Sequence, residues 1–168
     1  MTDQTKPELT DEQFEDKTKA HIEDVRLRIR AVIRMLLVAQ VEHDESKLVD
    51  PERDLFKRYT PKLAGCTYDS AEYKQFLSEL GPALEHHYQN NRHHPEHFKE
   101  GVDGMTLFDL VEMLCDWAAS SRRHNDGDIG KSIEVNTTRF GLSPQLVNVF
   151  KNTVAALGWD KEDPHAGR

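Results

Sequence analysis

Apolar and polar positions along the chain alternate with a period close to four, and the breaks between periodic stretches carry the residues that start and stop helices. Thr10 with Gln13 three positions later forms a capping-box pattern. Phe14, Ile22, Val25, Ile29, Ile33, Leu36 and Leu37 then recur at helical spacing, which predicts a first helix ending near Val41. Asp50-Pro51 reads as a cap and first-turn proline for a short helix that stops before Pro61, and Ser70 caps another running to Gly81. Pro82 restarts a helix through about Asn90. The stretch from Asn91 to Gly104, with Pro95 and Asp103-Gly104, predicts loop. Thr106 and Asp109 open a helix to about Arg123, ended by Asn125-Asp126-Gly127. A helix over 131–139 closes at Gly141, and Ser143-Pro144 begins a last one that closes at Gly158. No window alternates with the period of a strand. The expectation is therefore an all-α, single-domain bundle of about six or seven helices over 10–158, with a flexible lead at 1–9 and a tail at 159–168.

The 168 residues suit one compact domain, and 37% apolar content allows a core beneath a strongly polar surface. A formal charge of −8 has the wrong sign for neutralising many phosphates, so duplex nucleic acid is a poor partner. The longest apolar run, Met35 to Ala39, is far too short to span a bilayer, which argues against a membrane. The first residues lack a signal peptide's basic start and apolar run, and Cys66 and Cys115 match no bridge or metal spacing. These features read as a reducing, cytoplasmic setting. Homodimerisation stays open for a bundle of this size.

Three segments carry candidate chemistry. His43-Asp44-Glu45-Ser46-Lys47 places an imidazole beside a carboxylate. Neighbours on a helix point about 100° apart, so such a pair chelates only at a helix end or bend, and this pair sits at one. A helix terminus where His43 meets the dipole accounts for the pair as well. Five of the nine histidines, His86, His87, His93, His94 and His97, fall within the stretch 86–97. Neutral imidazoles offer lone pairs to zinc, iron, manganese or nickel. His86 and His87, still on a helix, suit rigid ligation; His93 and His94, in the loop, suit substrate binding or pocket shaping. Finally, Asp109, Glu112 and Asp116 share one face of an otherwise apolar helix, where three carboxylates repel unless a cation answers them. Asp116, flanked by Leu114, Cys115, Trp117 and Ala118, reads as buried, while Asp109 and Glu112 read equally well as solvated. Trp117, Phe150 and Trp159 read as core.

An HD pair, then histidines, then a helical Asp in Cys115-Asp116-Trp117 resemble, in that order, the HD-domain superfamily of metal-dependent phosphohydrolases. His43 to Lys47 looks like its HD-x-x-K variant, and Asp116 is similar to its last metal-ligating Asp. The stretches at 84–98, 109–117 and Lys131 to Gly141 look more closely like an uncharacterised family of phage and bacterial genomes, a likeness covering most of residues 20–155. The superfamily pattern also has an upstream His, for which His21 is the one candidate. Twenty-two residues of unbroken helix would set His21 about 33 Å from His43, so this role implies a break near Arg28–Arg34.

The resemblance implies one or two divalent transition metals (Mn, Co, Ni, Fe or Zn) on His43, Asp44, Asp116 and one or two of His86, His87 and His21. It further implies a small phosphorylated substrate, with a (deoxy)nucleotide as the leading candidate. Lys47, Arg92 and Arg122 are the local cations that could clamp phosphate, and Glu45 or Glu112 could accept the proton of an attacking water. Two other readings remain: a di-iron oxygenase on the same kind of scaffold, and a non-enzymatic helical binding protein in which histidines close around one zinc.

Overall fold

The computed structural model describes residues 8–67, 70–122 and 128–161. Among these the regular elements are all helical: α1 (Asp11–Glu42), α2 (Arg53–Ala64), α3 (Ala71–Asn90), α4 (Leu107–Ser121), α5 (Ile129–Phe140) and α6 (Pro144–Leu157). Short 3₁₀ turns at Glu45–Leu48, Pro95–His97, Gly101–Gly104 and Trp159–Lys161 fill the connections. No strand occurs among the described residues, and the all-α expectation holds. Most of the lead and tail, and the turn Asn125-Asp126-Gly127, lie outside the described residues.

The caps form as their residue types dictate. Thr10 and Gln13 exchange hydrogen bonds of 3.2 and 3.3 Å at the start of α1. Ser70 accepts from the Tyr73 amide and Ser143 from the Leu146 amide, while Thr106 and Asp109 build a full capping box on α4. Each such cap contributes about 1 kcal/mol. Asp128 caps α5 through the Lys131 amide, which starts that helix two residues before the expected 131.

Three expectations are corrected. The break near Arg28–Arg34 is absent, because a stretch free of Gly, Pro, Asn and Ser has nothing to stop the helix and α1 runs unbroken. Asp50-Pro51 does not begin α2. The chain turns there, with the Glu52 and Arg53 amides both on the Val49 carbonyl, and the helix starts at Arg53. Nor does α2 stop before Pro61. It continues to Ala64, and its face is held against α3 by buried Tyr59, whose ring lies 6.1 Å from that of Phe76. Tertiary packing outweighs the local cost of a proline. The expected pair of helices, one from Ser70 to Gly81 and one from Pro82 to about Asn90, forms as read: Gly81 leaves helical geometry at φ 33° and ψ −109°, so α3 is two helical segments meeting at a kink just before Pro82.

The chain divides into two compact units, residues 1–38 and 39–168. The described part of the first is α1 without its last turn, and α1 buries none of its residues. The second unit holds the core, in which Met113, Leu114 and Trp117 of α4 pack with Ile129 and Ile133 of α5, Leu142, and Phe150 and Val154 of α6. Trp117 stacks parallel to Phe140 at 6.3 Å and meets Phe150 edge-on at 5.9 Å, and Trp159 packs at the margin. Each large side chain so buried contributes about 1.5–3 kcal/mol. Because α4 gives Met113 and Trp117 to this core, Glu112 and Asp116 are turned away from it, toward α3 and the loop that follows.

Candidate metal centre

His43 still bonds helically, its amide 2.9 Å from the Ala39 carbonyl, and Asp44 then adopts the left-handed conformation at φ 60°, ψ 9°. That conformation costs most L residues about 1–2 kcal/mol, and Asp and Asn tolerate it best. The turn brings two consecutive side chains onto the same space, with His43 Nε2 3.5 Å from Asp44 Oδ2. This is the helix-end bend that chelation by adjacent residues requires.

Three further imidazoles reach the same space. His87, on the inner face of α3, points Nε2 to within 3.3 Å of Asp44 Oδ1 and 2.9 Å of His94 Nε2. His93 Nε2 lies 3.7 Å from Asp44 Oδ1, and Asp116 Oδ1 lies 3.9 Å from His43 Nε2. The opposite ring nitrogens are held by carboxylates. His43 Nδ1 is 2.9 Å from Glu112 Oε1, and His93 Nδ1 contacts the same oxygen at 2.9 Å without hydrogen-bond alignment. His87 Nδ1 is 2.9 Å from Glu52 Oε2. Asn91 Nδ2 also lies 2.9 Å from that Nδ1, but its two hydrogens go to Ser46 Oγ and the His87 carbonyl, which leaves the His87 Nδ1 proton for Glu52. A carboxylate behind an imidazole fixes its tautomer and presents the other nitrogen's lone pair.

The donors form two groups that share Asp44: Asp44, His87, His93 and His94, and His43, Asp44 and Asp116. A third grouping, His43, His93 and Glu112, involves Nδ1 atoms and reads as the orienting layer. Buried Asp44 Oδ1 and His93 Nε2 have no hydrogen-bond partner. Buried polar atoms are nearly always satisfied, so two orphans among converging lone pairs fit a cation in the space between them.

The electrostatics agree. Burial and the neighbouring His93 and His87 push His94 far below the ordinary imidazole value. His87 is lowered by burial and by Lys47, only partly offset by Asp44 and Glu52. Both rings are therefore neutral at pH 7, and two neutral ring nitrogens 2.9 Å apart attract only if one donates or a cation joins them. Burial opposes ionisation of Asp44, but Lys47 Nζ at 2.6 Å, helped by His43 and His87, holds it below the usual carboxylate range. Burial also opposes Glu112, yet its hydrogen bond with His43 and the His93 ring in contact with it bring it to about 2.

Residues 10–156 match DUF5662, a family of unknown function. The chain belongs to that family. No curated protein and no solved structure matches it. In this DUF5662 member a cavity of about 450 Å³ adjoins the centre, with Asp44, His87, His94 and Asp116 in its lining. Phe56, Leu77, Leu80 and Leu84 supply an apolar side; Lys131, Asn136 and Arg139 of α5 supply a polar one.

The expected site residues distribute unevenly. His43, Asp44, His87 and Asp116 converge, together with His93 and His94, which had been expected to bind substrate. His86 stands apart from the donor groups, its Nδ1 2.7 Å from Glu52 Oε1. His21 is exposed on α1 and belongs to none of the groups. Lys47 reaches Asp44 and lines the cavity. Arg92 is engaged by Asp109 through two bonds of 3.0 and 3.1 Å, because buried Asp109 needs a cation beside its capping role. Arg122 is exposed just beyond α4 and lies outside the cavity lining. Glu45 is exposed, whereas Glu112 orients histidines. The residue missed is Glu52, fully buried and met by His86, His87 and Ser46. No periodicity marks it; a carboxylate beside a misassigned helix start was its one trace.

Proposed function

We propose that the centre holds one or two divalent transition-metal ions, drawn from Mn, Co, Ni, Fe and Zn, and hydrolyses a small phosphorylated compound bound in the adjoining cavity. The observation that carries this reading is the pair of orphaned buried atoms, Asp44 Oδ1 and His93 Nε2, inside a shell of oriented imidazoles. His87, His93 and His94 would hold one ion together with Asp44, and His43 and Asp116, also with Asp44, would hold a second. Such ions, when bound, polarise a phosphoryl oxygen and acidify water near pH 7. The protein's share is orientation and charge. Glu52 and Glu112 keep the rings pointed inward. Lys47, Lys131 and Arg139 line the cavity and offer positive charge to a phosphate in a chain whose net charge is −8. The volume suits a nucleotide-sized molecule, and the apolar side suits a base or other flat group.

A second reading has its own support: the group Asp44, His87, His93 and His94 has the four donors that close around a structural zinc. The test is elemental analysis of protein purified without added metal, followed by phosphate release from a panel of nucleotides and chromogenic monoesters under Mn, Co or Ni. Stoichiometric metal that disappears in His87→Ala and Asp44→Asn, together with phosphate release, supports hydrolysis. Tightly held zinc with no turnover supports the closed site. Iron with oxidation of a small alcohol or phosphonate replaces hydrolysis by the oxygenase reading. A parent protein that takes up no metal overturns all three.

A further inference from the structure

We propose that the centre is built for a single ion, held by Asp44, His87, His93 and His94, and that the Lys47 ammonium supplies the second positive charge, against the other oxygen of Asp44. The inference rests on the metal reading above and narrows it from one or two ions to one. It follows from which donor atoms already have partners. Asp44 Oδ1 and His93 Nε2, 3.7 Å apart, are buried with no hydrogen-bond partner among the described residues, and His87 Nε2 lies 3.3 Å from the same Oδ1. The group of His43, Asp44 and Asp116 is answered from within the protein instead. Asp44 Oδ2, 3.5 Å from His43 Nε2, accepts from Lys47 Nζ at 2.6 Å, and Asp116 Oδ1 accepts from Ser120 Oγ at 3.2 Å. Unanswered lone pairs thus gather in the first group, and the second already has its cation.

The fold holds Lys47 in this position from two sides. In the 3₁₀ turn at Glu45–Leu48 the Lys47 amide bonds to the Asp44 carbonyl at 2.9 Å, which returns the side chain over Asp44. Its Nζ also lies 5.1 Å from the centroid of the Phe56 ring on α2, a cation–π contact. Lysines are seldom removed from water unless they are paired, and the side chain of this one is 28% exposed. A further ion at His43 and Asp116 would have to share Asp44 with the ammonium, and like charges that close repel. Lys47 also lines the cavity. The charge that a second ion would bring to a bound phosphate therefore comes from a side chain.

Titration of the full chain, freed of metal by chelation, with Mn²⁺ tests this, read by elemental analysis and electron paramagnetic resonance. The parent saturates at one ion per chain and gives the spectrum of isolated Mn(II). Lys47→Met removes the ammonium at nearly constant size and admits a second ion, with the spectrum of a coupled pair. Adding Asp116→Asn to that variant returns the count to one, and Lys47→Arg stays at one throughout. Far-UV circular dichroism matching the parent qualifies each variant, and the count in the parent decides even where a variant fails to fold. A parent that saturates at two ions, or a folded Lys47→Met that stays at one, overturns the proposal. A parent that takes up no ion overturns the metal reading itself, which a count of two would leave standing.

Discussion

Replacing Glu52 separates the two parts that the structure assigns to it. The carboxylate is fully buried, with His87 Nδ1 at 2.9 Å, His86 Nδ1 at 2.7 Å and Ser46 Oγ at 3.1 Å. In Glu52→Gln the amide oxygen still accepts from His87 and Ser46. The new amino group faces His86, whose ring is 36% exposed and can switch tautomer to accept it. The fold therefore loses only about 1 kcal/mol, the difference between a charged and a neutral hydrogen bond. The lost charge no longer raises the basicity of the His87 ring, and an orienting partner of this kind is worth about 10–100-fold in metal affinity. Glu52→Ala goes further. His87, whose side chain is 2% exposed, keeps a buried donor with no acceptor, a cost of about 1–3 kcal/mol. At about 2–4 °C per kcal/mol for a chain of this size, the melting temperature falls by about 2–12 °C. The measurements are a thermal scan without metal and a competition titration against a chromogenic chelator, with Glu45→Gln as an exposed control that changes neither. Glu52→Gln binding metal within about twofold of the parent would refute the orienting role. Glu52→Ala melting with the parent would refute the buried network itself.

Two predictions concern stability away from the metal. Burial raises the Asp109 carboxyl, but Arg92 and the Thr106 cap outweigh it and hold it below its ordinary 3.8. A carboxylate so depressed contributes stability above its unfolded value and loses it as pH falls through the lower folded value. Arg92 is half exposed and adds little by charge alone, so Asp109→Asn costs about 1 kcal/mol at pH 7 by urea denaturation. The cost shrinks as pH falls below 3.8 through the lower folded value; a cost that does not change with pH would contradict the ionic account. Phe150→Ala, at a ring packed edge-on against Trp117, costs about 3–5 kcal/mol in the same assay, and a cost under about 1 kcal/mol would place that ring outside the core.

Helix boundaries were legible where the deciding interaction is local. Thr10, Ser70, Thr106 and Ser143 each satisfy an amide within three residues, so residue type and spacing are enough to place them. Pro61 was misleading for the converse reason. Its cost is local, but Tyr59 held against α3 comes from another segment and outweighs it. His93 and His94 read as pliable loop residues because loop position says nothing about burial. In the fold the loop lies beneath the turn at Asp44, and His93 ends up 1% exposed.

The acidic stripe on α4 shows most plainly what a sequence can and cannot say about a site. Its spacing of three and four correctly predicts one shared face, and the repulsion among three carboxylates correctly predicts that cationic or donor groups answer them. Nothing in the spacing says that each finds a different partner. Asp109 takes Arg92 and the cap, Glu112 takes His43 and contacts His93, and Asp116 turns toward His43 and Ser120. The stripe thereby grades from structural at its first turn to ligand-like at its third. A helix that gave all three to solvent would leave Nδ1 of His43 without its acceptor and its Nε2 without an orientation. The side of α4 whose Asp109 and Glu112 read equally well as solvated is thus the one that arranges the centre, and Glu112, which accepts from His43 rather than pointing at the shared space itself, is its pivot.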